Sequence, residues 1–423
     1  MMGSLSVSHP DIADFVRAKA RRGALGHFNL SVQLDDAFLR AADDDANWEL
    51  SFPSPGFTCE GNTVQVNAQV RARALRRLIV TSMLDWSEPG VLFVDTINRE
   101  NNLWWREHLT TTNPCGEAPL PPYGACDLGS INLTRLVLRP FGRDAALDLE
   151  TLSAIARIAV RMLDNVLDAT PYPLARQRLA ALQTRRIGLG ITGLADALAM
   201  LGLRYDSAPG RAAAAAAVEH LKNAAYEASI EIAREKGPFP AFDRDRYLAS
   251  AFVARLPDEI RNRISRYGIR NSHLLAIAPT GSISLLAGNV SAGIEPIQSL
   301  RQWRRVLNPD GSVREFEVDD RAWSIFQEQD AGDAAALVEA PEISPTAQID
   351  MQSALQIHVD GAISKTVLLP ESTTCADLER LLGQAYRGGL KGFAAHRLQS
   401  ARGSVIGTGC ARYGTGRSDC DAG

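Results

Sequence analysis

One short segment of the chain, TTNPCGEAPL, groups three side chains whose chemistry depends on their spacing. Asn113, Cys115 and Glu117 occupy alternate positions in it, so a single loop can present all three side chains together. Pro114 restricts the residue before it to extended conformations, and Gly116 permits backbone angles that are closed to other residues. The segment is therefore a shaped loop that can combine a thiol, a carboxylate and an amide.

The neighbouring carboxylate limits what the thiol of Cys115 can do. Like charges repel, so Glu117 raises the thiol pKa and disfavours the thiolate. Cys115 is therefore a poor nucleophile of the Cys–His kind, and no histidine lies within six residues of it. The neutral S–H suits hydrogen-atom transfer, with Glu117 as general base and Asn113 as hydrogen-bond donor. The alternative is an ordinary turn that contains a bystander cysteine.

The composition excludes several classes of protein. The chain has 423 residues, of which 45% are hydrophobic, and its formal net charge is −4 from 45 basic and 49 acidic residues. This balance does not indicate a nucleic-acid surface. There is neither an apolar run of membrane-spanning length nor an apolar signal-peptide core, so the sequence predicts a cytoplasmic protein without a membrane partner.

The six cysteines do not form a recognisable metal site. No pair has CxxC spacing and no histidine cluster accompanies them, so we predict no bound metal. A structural disulfide framework is not expected in a reducing cytosol. Each thiol is then either a buried bystander or redox-active; the six are Cys59, Cys115, Cys126, Cys375, Cys410 and Cys420.

The pattern along the chain predicts an α/β architecture. Helical periodicity begins near Thr151, and an Ala-rich helical stretch runs from Arg211 to a stop at Gly237. Short apolar runs alternate with these helices, as expected for βαβ units: GVLFVDTIN, RRIGLGITG, HLLAIAPTG and ISKTVLLPE. The first helix is predicted to bury one stripe, formed by Leu152, Ile155, Ile158, Met162, Leu163 and Val166.

The segment GLGITG (188–193) fits the spacing of a dinucleotide-binding loop. That motif needs a strand before its first glycine, whereas the preceding residues look helical and basic, and no acidic residue ends a second strand at the required distance. The alternative, close backbone packing at a strand–helix junction, fits better.

Longer motifs resemble a known family. TNPCGEAPLPPYGACDLGSINL looks like the active-site finger loop of ribonucleotide reductases, and most closely that of the adenosylcobalamin-dependent class, class II. The resemblance continues in order through most of the chain, in HPDIADFVRAKARRGALGHFNLSV, EPGVLFVDTINRENNLWW, RRIGLGITGLADALAMLGL, IRNSHLLAIAPTGSISLLAGNVSAGIEP, VDGAISKTVLLPE and GLKGF.

The resemblance implies a fold and a reaction. The fold is a ten-stranded α/β barrel with the finger loop at its centre. A thiyl radical on Cys115 removes the 3′ hydrogen of a ribonucleotide, Glu117 takes the 3′-hydroxyl proton, and Asn113 holds the substrate hydroxyls. Pro114 and Gly116 belong to the same substrate-binding loop. The product is a 2′-deoxyribonucleotide for DNA synthesis, and the substrate is a ribonucleoside di- or triphosphate, the likeness favouring diphosphate.

The resemblance also implies a redox cycle and a phosphate loop. Cys126 matches one cysteine of a redox disulfide that a thioredoxin- or glutaredoxin-type reductant reopens. APTGSIS (278–284) matches the substrate-phosphate loop, where backbone N–H groups can converge on an anion. A plain helix cap is an equally good explanation of that segment. Its predicted binding residues are Pro279, Thr280, Gly281, Ser282, Ile283 and Ser284.

The segment LKGFAAHR (390–397) favours class II over class I. Class I enzymes import their radical through adjacent tyrosines on a late strand, where this chain has Ala394 and Ala395. A radical made in place from adenosylcobalamin fits better.

The expected organisation has four parts: a main catalytic region (1–305), an irregular surface excursion (306–348), a last strand and helix (349–402) and a flexible tail (403–423). The portion that precedes the first motif in the family, with the partner of Cys126, has no counterpart here. We therefore expect either a complementary N-terminal fragment as partner or an inactive, nucleotide-binding remnant. A homodimer is a further expected association, and Cys410 and Cys420 could shuttle electrons.

Overall fold

The computed structural model of the chain describes residues 1–21, 24–52, 66–307, 312–330, 333–397 and 407–408. The strands are Met2–Ser6 (β1), Asn29–Leu34 (β2), Asn47–Phe52 (β3), Val66–Arg71 (β4), Gly90–Phe93 (β5), Thr111–Thr112 (β6), Pro119–Leu120 (β7), Asp127–Asn132 (β8), Val137–Leu138 (β9), Ala146–Leu147 (β10), Ile187–Thr192 (β11), Arg301–Leu307 (β12), Val313–Asp319 (β13), Thr366–Leu369 (β14), Gly392–Arg397 (β15) and Gly407–Thr408 (β16). The helices are Ile12–Arg17 (α1), Asp36–Asp43 (α2), Ala72–Trp86 (α3), Val94–Arg99 (α4), Leu149–Ala169 (α5), Ala175–Thr184 (α6), Leu194–Met200 (α7), Ala208–Lys236 (α8), Arg244–Leu248 (α9), Asp258–Tyr267 (α10), Gly281–Leu286 (α11), Arg321–Glu328 (α12), Pro345–Gln356 (α13) and Cys375–Arg387 (α14). None of these helices has the length and apolar character needed to cross a membrane.

The largest sheet combines early and late parts of the chain in the order β1-β2-β5-β15-β14. Strands β1, β2 and β5 are parallel, β5 and β15 are antiparallel, and β15 and β14 are again parallel. Its apolar core includes Val32 and Phe93 from the strands, and Ile79 and Leu382 from α3 and α14. The sheet thus brings two groups of parallel strands together through one antiparallel contact.

A second run of parallel strands lies beside the first. Strand β8 pairs with β11, and β11 continues to the segment around Leu275 through a bridge from Leu189. That segment meets the next through a bridge from Ile277 to Ile363, just before β14. The α/β class predicted from the sequence is therefore confirmed. Among the described residues these strands do not form a closed ten-stranded barrel.

Helix α5 packs against α8 and covers β8 and β11. Its buried residues are Leu152, Ala156, Val160, Leu163, Asp164 and Leu167. The predicted stripe is partly wrong, since Ile158, Met162 and Val166 are 69%, 55% and 40% exposed. Apolar residues cover more than one face of this helix, and the face with the small residues Ala156 and Val160 is the one that packs inward.

The region predicted as an irregular excursion (306–348) contains regular structure. Strand β13 pairs antiparallel with β12, and α12 begins after Asp320, whose carboxylate accepts hydrogen bonds from the first-turn amides of Ala322 and Trp323. The sequence pattern did not reveal β13 because that strand is largely exposed and rich in charge, so it lacks a buried apolar alternation. The four-part division of the chain stays a prediction.

Candidate functional site

The segment with Cys115 forms a tight hairpin. Strands β6 and β7 pair antiparallel at its base. The side chain of Asn113 closes the turn, because its Oδ1 accepts from the backbone amide of Ala118 at 3.0 Å. The backbone amide of Asn113 in turn donates to the Ala118 carbonyl at 3.2 Å. Gly116 has a φ of +89°, and a Cβ there would meet no atom within 4 Å. Backbone conformation, rather than lack of space, therefore favours glycine at this position.

Long-range hydrogen bonds fix this hairpin within the fold. The side-chain amide of Asn29 in β2 donates to the Pro114 carbonyl at 2.7 Å, and the backbone amide of Ala362 donates to the Glu117 carbonyl at 2.8 Å. The guanidinium of Arg186, just before β11, donates to the Pro119 carbonyl at 2.6 Å. The hairpin is therefore anchored to both groups of parallel strands.

Cys115 lies at the turn of the hairpin as an exposed free thiol. Partial removal of the sulfur from water raises the pKa of Cys115, and the charge of Glu117 raises it further. The predicted direction is confirmed, although burial contributes more than the neighbouring charge. At neutral pH the group is an uncharged S–H, which suits hydrogen-atom transfer better than nucleophilic attack.

Glu117 points away from solvent and is only 2% exposed. Burial raises the pKa of its carboxyl group, while a hydrogen bond from the Asn113 side chain lowers it. Its Oε2 is buried and has no hydrogen-bond partner among the described residues. A carboxylate with a raised pKa and a free oxygen can accept a proton near neutral pH.

Cys126 lies immediately before β8 and is a free thiol. Burial raises the pKa of Cys126 to about 12, with Arg186 acting in the opposite direction. A Cβ placed on Gly188 in β11 would lie 3.3 Å from the Cys126 sulfur. Glycine at that position therefore leaves the space beside the sulfur open.

The glycines of GLGITG serve close packing inside the strands. A Cβ on Gly190 would lie 2.4 Å from the Ala276 carbonyl oxygen, and one on Gly188 would lie 2.8 Å from the Ala276 Cβ. Both glycines lie within β11 itself, not in a loop after a strand. The close-packing interpretation is confirmed, since these contacts leave no room for side chains.

A small cavity of about 10 Å³ is lined in part by Glu117, Ala118 and Pro119 of the hairpin. Glu117 and Cys126, which were predicted as site residues, line this cavity. Polar residues that were not predicted from the sequence line it as well. The lining also includes Arg186, His273, Asp360 and Lys391. The structure thus places the predicted base and the predicted redox thiol on the wall of one small cavity.

Asp360 and Lys391 form a buried network at this cavity. The Asp360 carboxylate accepts from the Tyr226 hydroxyl at 2.7 Å and from the amides of Leu274 and Leu275 at 2.9 and 2.8 Å. The Lys391 ammonium donates to the Asp360 carbonyl at 2.7 Å, and burial lowers its pKa to about 8. Sequence reasoning missed both residues; the signal was a charged residue beside glycine in VDG and LKG, next to buried apolar strands.

The predicted phosphate loop (278–284) directly follows the extended segment around Leu275 that pairs with β11. The Thr280 hydroxyl contacts the Thr192 hydroxyl at 2.8 Å and accepts from the Gly293 amide at 2.7 Å, so it does not cap α11. The Ser284 hydroxyl donates to the Gly281 carbonyl. The plain helix-cap explanation is therefore wrong for Thr280. Ala362 links this loop to the hairpin, because it donates to Glu117 and accepts from the amide that precedes the loop.

The other predicted sites are less informative. Gly281, Ser282 and Ile283 are exposed at the start of α11, and Pro279 is partly exposed. The tail thiols Cys410 and Cys420, and Cys59, lie outside the described residues. Within the described part of the chain, no group of three His, Cys, Asp or Glu side chains is placed to hold a metal ion.

Comparison of the chain with known protein families identifies its family. The family model for the ribonucleotide reductase barrel domain matches residues 1–396. The chain therefore belongs to the ribonucleotide reductase barrel-domain family, which confirms the resemblance of the finger-loop motifs.

Several relatives among curated proteins carry vitamin B12 dependence in their names. A vitamin B12-dependent ribonucleoside-diphosphate reductase from Mycobacterium tuberculosis is 38% identical over 96% of this chain and 57% of the relative. One of the same name from Thermoplasma acidophilum is 31% identical over 97% of the chain and 52% of the relative. A vitamin B12-dependent ribonucleotide reductase from Streptomyces coelicolor is 25% identical over 93% and 47%. The chain thus spans about half the length of the curated relatives it matches.

Proposed function

We propose that this chain carries the catalytic centre of a cobalamin-dependent ribonucleotide reductase, which converts ribonucleoside diphosphates to 2′-deoxyribonucleotides. One observation carries the proposal: an uncharged, accessible thiol and a buried carboxylate of raised pKa share one anchored hairpin. The names of the relatives favour diphosphates and vitamin B12.

In this proposal each hairpin residue has one role. A thiyl radical on Cys115 removes the 3′ hydrogen of the ribose, and Glu117 takes the 3′-hydroxyl proton through its unpartnered oxygen. Asn113 uses its side-chain oxygen to close the turn, and its amide group remains as the donor that orients the carboxylate and the substrate hydroxyl.

The two electrons for the reaction come from thiols in this proposal. The 2′-hydroxyl leaves as water, and Cys126 with a second cysteine forms a disulfide. A thioredoxin- or glutaredoxin-type dithiol then restores the thiols. The substrate phosphate is held by the backbone of 278–284, where the first-turn amides of α11 are not capped by the Thr280 side chain.

The residues present fit a cobalamin cofactor as the radical source. Adenosylcobalamin, when bound, supplies a carbon radical that removes a hydrogen atom from a thiol. The Cys115 thiol is exposed, and the space beside Gly116 is open. Strand β15 has alanines at 394 and 395, so it offers no tyrosine relay at those positions. Cys115 is the residue that would meet the cofactor.

The assembly remains a proposal as well. Strands β1 and β8 are the outer strands of the hydrogen-bonded series in the described residues. We propose that further strands pair with them to give the ten-stranded barrel of the family, supplied by a complementary N-terminal segment. Homodimerisation and a cytoplasmic location stay predictions.

The proposal is tested by substitution of the thiol. The chain is combined with the N-terminal portion of the Mycobacterium tuberculosis relative, adenosylcobalamin and a dithiol, and deoxynucleotide formation is measured by chromatography. We expect Cys115→Ala to reduce formation to background and Cys375→Ala, a partly buried thiol on α14, to retain it. Activity that survives in Cys115→Ala refutes the assignment. Background formation by every version favours a nucleotide-binding remnant.

A further inference from the structure

Arg186 makes contacts that neither the sequence motifs nor the family assignment explains. Its side chain is buried, with the residue 4% exposed, at the start of β11. One guanidinium nitrogen donates to the Pro119 carbonyl in β7, and another forms a buried ion pair with Glu107, four residues before β6. A single guanidinium therefore links one arm of the hairpin to the segment that leads into the other arm.

The same side chain also faces the interior cavity. Arg186 lines that cavity together with Glu117 and Cys126, and its Nε is buried without a hydrogen-bond partner among the described residues. A residue that served only as a clamp would gain from pairing that donor as well. One buried donor of Arg186 is therefore not used by the contacts that hold the hairpin.

The charge of Arg186 acts on Cys126. Burial and the carboxylates of Asp127, Glu117 and Asp360 all raise the pKa of Cys126, whereas Arg186 lowers it. A buried thiol of high pKa is a poor leaving group in thiol–disulfide exchange, since leaving-group pKa governs the rate. A nearby guanidinium compensates part of that penalty.

We propose that Arg186 is a positioning residue that fixes the hairpin relative to Cys126 and stabilises the Cys126 thiolate when a disulfide at that sulfur is reopened. A thiolate of the dithiol reductant attacks the partner sulfur, the S–S bond breaks, and Cys126 leaves with the electron pair as thiolate. The second thiol of the reductant then resolves the mixed disulfide. This inference rests on the proposed function.

The test separates charge from geometry with two variants. Arg186→Lys keeps the positive charge but lacks the planar fork that contacts Pro119 and Glu107 together. The double variant Glu107→Gln with Arg186→Gln removes the charge without leaving Glu107 buried and unpaired. Each full-length protein is treated with iodoacetamide between pH 7 and 9.5, and the alkylation rate of each cysteine is read separately by peptide mass spectrometry.

The alkylation rates test whether the charge of Arg186 stabilises the Cys126 thiolate. We expect the double variant to modify Cys126 at least about threefold more slowly at a given pH, because rate follows the thiolate fraction. Arg186→Lys should stay within about twofold of the parent rate, since charge sets the thiolate fraction. Cys375 serves as the control that should not change. An equal or faster Cys126 rate in the double variant overturns the inference, because loosened packing alone would accelerate the reaction.

The turnover number of the variants tests whether Arg186 positions the hairpin. In the completed assembly we expect Arg186→Lys to lower kcat about tenfold or more with little change in KM, as lost orientation at the reacting centre does. Parent-like kcat in this variant overturns the positioning role. If the unmodified protein forms no deoxynucleotide, the proposed function fails, yet the alkylation result still reports whether Arg186 acts on Cys126.

Discussion

A pair of buried carboxyl groups offers a quantitative test of the fold. Asp196 in α7 and Asp320 before α12 are 0% and 3% exposed and hydrogen-bond to each other. Both accept from the amide of Ala322, and Asp196 also accepts from the amide of Ser291 at 2.6 Å. Burial and the charge of Asp196 raise the pKa of Asp320 well above its usual value. Burial raises the pKa of Asp196 as well, so we expect the two adjoining carboxyl groups to share one proton.

This proton makes stability depend on pH in a defined direction. The unfolded Asp320 loses its proton near pH 3.9, about the usual value, whereas the folded one keeps it. The stabilisation is thus complete below that pH and is lost as pH rises toward the folded pKa. While only the folded state holds the proton, stability falls by about 1.4 kcal/mol per pH unit.

Asp320→Asn removes the titration but keeps the hydrogen bonds. Its side-chain oxygen can still accept from the amides of Ala322 and Trp323, and its NH₂ group can donate to Asp196 as the acid does. We expect the variant to gain stability over the parent as pH rises from 5 to 8. Urea unfolding followed by circular dichroism measures the difference, with Asp319→Asn at the half-exposed neighbour as control. Parallel curves for parent and variant, or a variant less stable at pH 8, would refute the shared proton.

Two further predictions concern the strands around the cavity. Gly190→Ala should lower the unfolding free energy by about 1–3 kcal/mol or more, because its Cβ would overlap the Ala276 carbonyl. The control is Gly281→Ala, where an added Cβ meets open space. Equal melting temperatures for the two variants would contradict the close packing at Gly190. Lys391 is neutral in the folded state above about pH 8, so stability of the parent should rise with pH from 8 toward about 10.4, where the unfolded lysine still binds its proton. Lys391→Met should abolish this rise in denaturation curves, and an unchanged slope would show that Lys391 does not titrate in this range.

The sequence predicted the hairpin with Cys115 better than its surroundings. The direction of the Cys115 pKa shift was predictable, because Glu117 lies two residues away along the chain. The larger contribution, burial of the sulfur, was not. The network of Asp360 with Tyr226 was not predictable, because it joins residues 134 positions apart. Only the folded chain shows which charged residues share a cavity.

Helix α5 shows a different limit. Periodicity predicted the helix, yet it could not choose between two apolar faces, and the exposed Ile158 was assigned to the wrong one. The face that includes Val160 is the one that packs against α8 and the strands β8 and β11. Which face packs inward depends on the partner helix, which a local pattern does not contain.

The antiparallel contact between β5 and β15 has a kinetic consequence. It pairs Leu92 with Gly392, so the sheet is completed only when residues 300 positions apart meet. Loop closure over such a separation costs conformational entropy before the contact contributes any stabilisation. Folds dominated by such contacts therefore form slowly. The hairpin is hydrogen-bonded to strands on both sides of the contact between β5 and β15. We therefore expect the Cys115 thiol to reach its final surroundings late in folding, after the distant parts of the chain have assembled.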